Sequence, residues 1–300
     1  MGASGPTTKA DPIPAWRTDS LSAREFTALA DFIQSTAGIR MPPAKKVLLE
    51  ARLRRRLRAL GMDSYSAYCA YLLGPGRNSD EIVHFIDVVT TNKTDFFREP
   101  EHFDILVQKA LPTLMNEHGA GMARSLMVWS AGCSSGEEPY SLAMVLSEFA
   151  ESRPGFRSLI LATDICTDVL ELAKRAIYTQ EQVVPVPMPL RRKYLLYSKE
   201  RGQKLVRMAP ALRNQVRFRR LNFLDGDFGM REPMDVIFCR NVFIYFQRDT
   251  QEAILNRFVR HLVPGGFVFL GHSESINGLK VPLVQVAPAV YRNLSGMSSE

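Results

Sequence analysis

Leu126-Met127-Val128-Trp129-Ser130-Ala131-Gly132-Cys133-Ser134-Ser135-Gly136-Glu137-Glu138 is the stretch on which the reading of the fold turns. Its opening apolar run predicts a strand buried on both faces. The glycines that follow let the backbone turn sharply and come close to a ligand, and a helical pattern runs from about Pro139 to Phe149. The same alternation repeats downstream. Leu159–Ala162 reads as a second strand, Val169–Ala176 as a helix, Val216–Leu221 as a third strand, Val236–Cys239 as a fourth and Phe267–Leu270 as a fifth. Between the last two lies an amphipathic helix from about Thr250 to Leu262, which Pro264-Gly265-Gly266 is expected to end. Alternating strands and helices predict an α/β fold with a doubly wound, mostly parallel sheet and right-handed crossovers.

The N-terminal part has a different pattern. From Leu21 to about Val89 apolar residues recur at helical spacing, as in Phe26, Leu29, Ala30, Ile33 and Ala37, with stops at Gly38, Gly61 and Gly74-Pro75-Gly76. The boundaries expected are a disordered tail over 1–20, a helical domain over 21–90, a linker over 91–100 and an α/β domain over 101–295. One connection, about 178–214, is too long for a plain loop. With Pro185, Pro187 and Pro189 and a charged stretch at Lys199–Gly202, it predicts a small inserted β-subdomain, with short strands around Tyr194–Tyr197 and Lys204–Met208.

Composition narrows the class. Of 300 residues, 46% are hydrophobic, enough to build a core and to exclude global disorder. No apolar run approaches the roughly 18 residues a membrane helix needs, and the Pro-rich beginning is no signal peptide. Cys69, Cys133, Cys166 and Cys239 form no C-x-x-C pair, which argues against a structural zinc or a disulfide framework and for a reducing compartment. The net charge of +7 is concentrated in Lys45, Lys46, Arg52, Arg54, Arg55, Arg56 and Arg58. Such a run is either a solvated helix face or a docking surface for an acidic partner, nucleic acid or an acidic protein helix.

The chemistry gathers at strand ends. Asp164 follows the second strand, where an acid suits the ribose hydroxyls of a nucleoside ligand, or else caps a helix. The first turn lacks the full G-x-G-x-x-G, and Glu137-Glu138 would repel a pyrophosphate. A ligand with a cationic end and no phosphate, such as S-adenosylmethionine, fits better. Asn222, after the third strand, can bond an adenine edge, and Cys239–Phe246 follows the fourth. Gly132–Gly136 also satisfies the G-x-S-x-G of a serine hydrolase, with Ser134 as nucleophile and His272 downstream. Against that reading, the motif follows the first strand of the sheet, and no oxyanion loop precedes it.

Thr91–Arg98, Ser130–Ser141, Phe238–Phe246 and Gly271-His272-Ser273-Glu274 together resemble the CheR family of chemoreceptor methyltransferases, over about Leu21 to Arg292. The resemblance implies a class I S-adenosylmethionine-dependent methyltransferase domain behind an all-helical domain, with a β-subdomain inserted. It implies cofactor contacts at Asn92, Thr94, Arg98, Glu138 (or its neighbour Glu137), Asp164, Asn222, Phe223, Arg240 and Asn241. Ser135 stands where the family commonly has Thr. Arg98 and Tyr245 are implied to flank the transferred methyl group, and the products would be a glutamyl methyl ester and S-adenosylhomocysteine, with no metal. A glutamate of pKa near 4.3 is ionised at neutral pH, so no general base is required.

The partner expected is the acidic cytoplasmic helices of a methyl-accepting chemoreceptor, docked on Arg54, Arg55 and Arg58. The enzyme is expected to be a cytoplasmic monomer with no nucleic-acid partner and no membrane insertion. In some family members the β-subdomain grips a tether pentapeptide at the receptor's C-terminus through a glycine-rich loop. Here Tyr197–Lys204 keeps Gly202 alone among long charged side chains, so no dependence on a tether is expected. The alternatives are a methyltransferase of the same fold acting on another protein or on nucleic acid, and a non-catalytic adaptor.

Overall fold

The computed structural model describes residues 20–76, 78–200 and 202–295; the expected tail therefore lies outside the described residues except for Ser20. The chain divides into two compact units, residues 20–35 with 41–89, and residues 36–40 with 90–295.

The smaller unit is helical: α1 (Ala23–Ala37), whose last two residues count with the larger unit, α2 (Lys46–Leu60), α3 (Tyr65–Leu73) and α4 (Ser79–Val89). Gly61 ends α2 in the left-handed conformation, and Ser64 caps α3 by accepting from the Ala67 amide at 3.1 Å. Leu49, Leu53 and Leu57 put one stripe of α2 into the core. The arginine run is split by the same periodicity. Arg56 pairs with buried Glu81, which also accepts from the Tyr68 hydroxyl at 2.8 Å. Arg52 donates to the Val89 carbonyl, and Arg54 to the Tyr65 hydroxyl at 3.2 Å. Arg55 and Arg58 face solvent along with Val47, Leu48 and Ala51.

The larger unit holds a seven-stranded sheet of order β6-β2-β1-β7-β8-β10-β9. Its strands are β1 (Leu126–Ala131), β2 (Ser158–Asp164), β6 (Val216–Arg220), β7 (Met234–Cys239), β8 (Leu262–Leu270), β9 (Leu283–Ala287) and β10 (Val290–Asn293). The first five are mutually parallel; β10 runs antiparallel to both β8 and β9. The helices are α5 (Glu101–Ile105) and α6 (Leu111–His118), joined by a π-helical turn at Leu106–Ala110, then α7 (Glu137–Glu151), α8 (Thr167–Arg175), α9 (Met188–Tyr194), α10 (Pro210–Gln215) and α11 (Arg248–Arg260). Alternate residues of the central strands feed two cores. Val128, Val236, Phe238 and Phe269 belong to one, and Trp129, Ile237, Val268 and Leu270 to the other. Double burial is why these strands read as unbroken apolar runs.

Two expectations need correcting. Pro264-Gly265-Gly266 does not end α11 but lies inside β8, where Met234 pairs with Leu262 and Val236 next with Phe267. Gly265, at φ +75°, allows that bulge. The main sheet has seven strands where five are expected, the additional pair being the β9–β10 hairpin, and the helices from Glu101 to His118 are additional too. The insertion contains β3 (Ile177–Thr179), β4 (Leu195–Tyr197) and β5 (Leu205–Met208) as an antiparallel sheet of order β3-β5-β4. β4 and β5 are the two strands expected there.

Candidate active site

The strand order changes direction at β1: the chain runs outward through β2 to β6, then returns to β7 on the other side. Such a switch point opens a crevice beyond the strand C-termini. The glycine loop, Asp164 and the segment after Cys239 all lie at that end.

The loop is shaped by main-chain geometry. Gly132, Ser134 and Gly136 all have positive φ (82°, 49° and 98°). A Cβ on Gly132 would lie 2.6 Å from Val242, and one on Gly136 would lie 2.8 Å from the Tyr178 hydroxyl, so neither position accepts a side chain. The Gly132 and Cys133 amides donate to the Thr163 carbonyl at 2.8 and 2.9 Å, tying the loop to the end of β2. Buried Asp164 completes the tie: its Oδ2 accepts from the Ser134 amide at 2.8 Å and its Oδ1 from the Cys166 amide at 2.9 Å. The Ser134 hydroxyl donates to the Asn92 carbonyl at 2.8 Å, joining the 90s segment to the loop.

Arg240, buried at the end of β7, is the hub of the site. Its Nε donates to Glu138 Oε2 at 2.8 Å and its Nη1 to the Arg98 carbonyl at 2.5 Å, with Glu99 at 3.5 Å. The guanidinium also sits against the rings of Phe103 and Phe238, 5.4 and 5.6 Å from their centroids. Glu138 accepts in addition from the Ser130 hydroxyl at 2.7 Å, so the pair is buried but well bonded. Its neighbour Glu137 is equally buried and has the Ser135 hydroxyl at 2.7 Å; burial pushes its carboxyl pKa up.

The other expected residues divide. Asn241, at φ +60°, donates its amide to Glu274 at 2.9 Å. Tyr245 ends a single 3₁₀ turn, Phe243–Tyr245, and its carbonyl accepts from the Arg40 amide at 2.8 Å. Arg98 is half-buried, with a long 3.5 Å contact from its guanidinium to the Lys93 carbonyl, and Thr94 is half-buried. Asn222 uses its side chain inside the protein, donating to the Thr36 carbonyl at 2.7 Å and accepting from the Leu224 amide at 3.1 Å. Phe223 packs its ring into the aromatic core around Trp129 and Phe258, its ring centroid 6.3 and 5.4 Å from theirs.

Comparison with known proteins decides the class. Residues 92–290 match the model of the CheR methyltransferase SAM-binding domain, and residues 24–90 that of the CheR all-alpha domain. The chain belongs to the CheR methyltransferase family. It is 36% identical over 274 residues to a chemotaxis protein methyltransferase of Borreliella burgdorferi, covering 91% of this chain and 95% of that one. It is 40% identical over 260 residues to that of Salmonella typhimurium, covering 87% and 86%. With the Escherichia coli protein the identity is 39% over 272 residues, 91% of each.

This CheR-family chain is therefore an S-adenosylmethionine-dependent methyltransferase of chemotaxis, and its crevice suits that ligand. Backbone that excludes every Cβ at Gly132 and Gly136 makes a cradle, and the acids Asp164, Glu137 and Glu138 beside it favour a cationic ligand without phosphate. The hydrolase reading falls. Ser134 is buried and gives its hydroxyl to a main-chain carbonyl, and His272 gathers with His102 and Glu99 instead.

Sequence reasoning missed that last group. His102 is fully buried, and burial, reinforced by Arg240, lowers its pKa to about 4. A neutral imidazole beside a guanidinium is the state the site can tolerate. Glu274, at the end of Gly271-His272-Ser273-Glu274, accepts from the main-chain amides of Gly271, Asn241 and Phe243.

Proposed function

We propose that this enzyme transfers the methyl group of S-adenosylmethionine to glutamate side chains of methyl-accepting chemoreceptors, giving glutamyl methyl esters. The observation that carries the reading is the Arg240 hub. One buried guanidinium ties Glu138 to the main chain of Arg98, and so couples the acidic, ligand-facing loop to a cation able to hold an incoming carboxylate. The bound cofactor supplies a methyl group activated by the sulfonium. Asn92, Thr94, Arg98, Asp164 and Asn241 would hold it, with Asp164 on the ribose hydroxyls; Glu138, Asn222, Phe223 and Arg240, whose side chains are engaged inside the protein, would shape the site around it.

Arg98 presents two N–H groups to the substrate carboxylate, and Tyr245 orients the methyl through its hydroxyl and ring face. The nucleophile is already an anion and the leaving group a neutral thioether, so the step needs neither a base nor a Lewis acid. Catalysis rests on holding two groups in line.

The receptor helix docks on the exposed stripe of α2, Val47, Leu48, Ala51, Arg55 and Arg58. Its apolar start and basic end suit an acidic amphipathic helix. Arg54 belongs to this surface less than the sequence suggests, being turned to Tyr65. The β4–β5 connection, with exposed Lys199, Glu200, Gln203 and Lys204, does not favour a tether peptide, and the enzyme works without one in the cytoplasm.

The test is transfer from tritiated S-adenosylmethionine to receptor-bearing membranes, with nucleic acid and soluble protein as parallel acceptors. Base-labile label on receptors, released as methanol, supports the reading; label on nucleic acid, or stable to base, refutes it. Arg55→Glu/Arg58→Glu should raise the Michaelis constant for receptor and leave that for cofactor unchanged.

A further inference from the structure

The residues that flank the transferred methyl need something to hold them, and one group outside the proposed contacts does so. Glu274 is buried just beyond β8. Its Oε2 accepts from the Gly271 amide at 2.6 Å and the Asn241 amide at 2.9 Å, and its Oε1 from the Phe243 amide at 2.7 Å. Gly271 has no room for a side chain, since a Cβ there would lie 2.6 Å from Asn241 Nδ2 and 3.0 Å from Glu274 Oε2. The sequence around Glu274 is thus shaped to let one carboxylate reach the segment after β7.

That segment depends on the carboxylate. Asn241 is held in the left-handed conformation, which costs a non-glycine residue energy, and the 3₁₀ turn that ends in Tyr245 follows at once. Gln251 donates to the Phe243 and Phe246 carbonyls at 2.8 and 3.1 Å, and the Arg40 amide to the Tyr245 carbonyl at 2.8 Å. These partners hold the carbonyl side of the turn; Glu274 holds the amide side. Phe243 packs its ring against Phe246 and Phe258, but the polar side of the turn borders a cavity of about 240 Å³ that Ile244, Arg248, Gln251, Glu274 and Ser275 also line.

We propose that Glu274 is a positioning residue for methyl transfer: through the Asn241 and Phe243 amides it fixes the turn that aims Tyr245. This rests on the role given to Tyr245 above. The chemistry of the group explains why it is a glutamate. A carboxylate has two acceptor oxygens, whereas glutamine has one and turns an NH₂ to the other side. In Glu274→Gln one oxygen still accepts, but an NH₂ now faces the other set of amides, those of Gly271 and Asn241 or those of Phe243 and Ile244. Whichever way the amide turns, the main chain that leads to Tyr245 loses part of its anchor. A displacement of about 1 Å at a reacting centre can cost on the order of a hundredfold.

The experiment is a cycle of Glu274→Gln, Tyr245→Phe and the double variant, assayed with receptor membranes, with cofactor affinity measured by calorimetry. Glu274→Gln should lower kcat at least tenfold and weaken cofactor binding less than threefold. The double variant should be within twofold of the slower single variant, because a misplaced Tyr245 has no hydroxyl contribution left to lose. Glu274→Asp, which keeps the charge but falls short of the turn, should show the same loss in kcat and covers the case in which the Gln variant does not fold. A wild-type kcat in Glu274→Gln, or losses that multiply in the double variant, overturns the proposal. Wild-type turnover in Tyr245→Phe removes Tyr245 from the mechanism and the proposal with it, a result distinct from failure of Glu274 alone.

Discussion

Replacing Arg240 by alanine tests whether the hub holds the site together. The change deletes the bonds to Glu138 at 2.8 Å and to the Arg98 carbonyl at 2.5 Å, together with the ring contacts to Phe103 and Phe238. It leaves Glu138, 8% exposed, with the Ser130 hydroxyl as its remaining named partner. Removing one member of a buried ion pair costs ~3–5 kcal/mol, mostly through the charge left behind. Adding Glu138→Gln removes that charge, so the double variant should be more stable than the sum of the single changes by at least ~1.5 kcal/mol. Urea unfolding read through the fluorescence of buried Trp129, in a Trp16→Phe background, follows the larger unit alone. An Arg240→Ala loss below about 1 kcal/mol, or strict additivity with Glu138→Gln, would refute the account of the hub.

Asp164→Ala should weaken cofactor binding more than tenfold by calorimetry, since charged hydrogen bonds are worth roughly 1.5–3 kcal/mol each; unchanged affinity would remove Asp164 from the site. Gly136→Ala places a Cβ 2.8 Å from the Tyr178 hydroxyl and 2.9 Å from Ala173 at φ +98°, and should cost at least ~2 kcal/mol, seen as a fall in Tm of roughly 4–8 °C. His102 is held at about 4 against 6.5 when unfolded. The unfolded chain therefore binds a proton first, and this contribution is complete above pH 6.5 and lost as pH falls toward 4. The wild type should lose ~3 kcal/mol more between pH 7 and 4 than His102→Gln, and parallel stability curves for the two would contradict that.

What the sequence discloses follows from burial. β1, β7 and the second half of β8 are buried on both faces and read directly as apolar runs. β9 was invisible because Val284, Gln285 and Val286 are all exposed at a sheet edge, so neither a buried run nor a clean alternation marks it. The proline and glycines in β8 looked like a helix stop because bulge and loop use the same residues. The arginine run was visible as charge. Its division into inward Arg52, Arg54 and Arg56 and outward Arg55 and Arg58 needed partners from other helices. The site shows the same limit. Glycines and strand-end acids declare themselves locally. Arg240 and Glu138 are 102 residues apart, and Glu274 and Asn241 are 33 apart. No local pattern records such pairings, and for that reason His102, Glu99 and Glu274 had no assigned role.

The charges of the proposed reaction constrain what these residues can contribute. A carboxylate and a sulfonium go in, and an ester and a thioether come out, so two opposite charges are annihilated as the transition state forms. A fixed charge that binds either ground state strongly loses that interaction on the way, and tight pairing alone would slow the step. Arg98 cannot act as an oxyanion hole does, because negative charge fades instead of growing. In the proposed reaction its contribution is therefore placement, and the main chain around it is held accordingly. The Arg98 main chain is anchored by buried Arg240, Asn241 is fixed by Glu274, and both anchors draw on groups that hold no reacting atom. The acids proposed to offset the sulfonium are tempered too, Glu138 by its pair with Arg240 and Glu137 by burial, which pushes its pKa up. A site for charge annihilation is best built from such muted charges. They are strong enough to bring two ions together in line, and weak enough not to oppose their neutralisation.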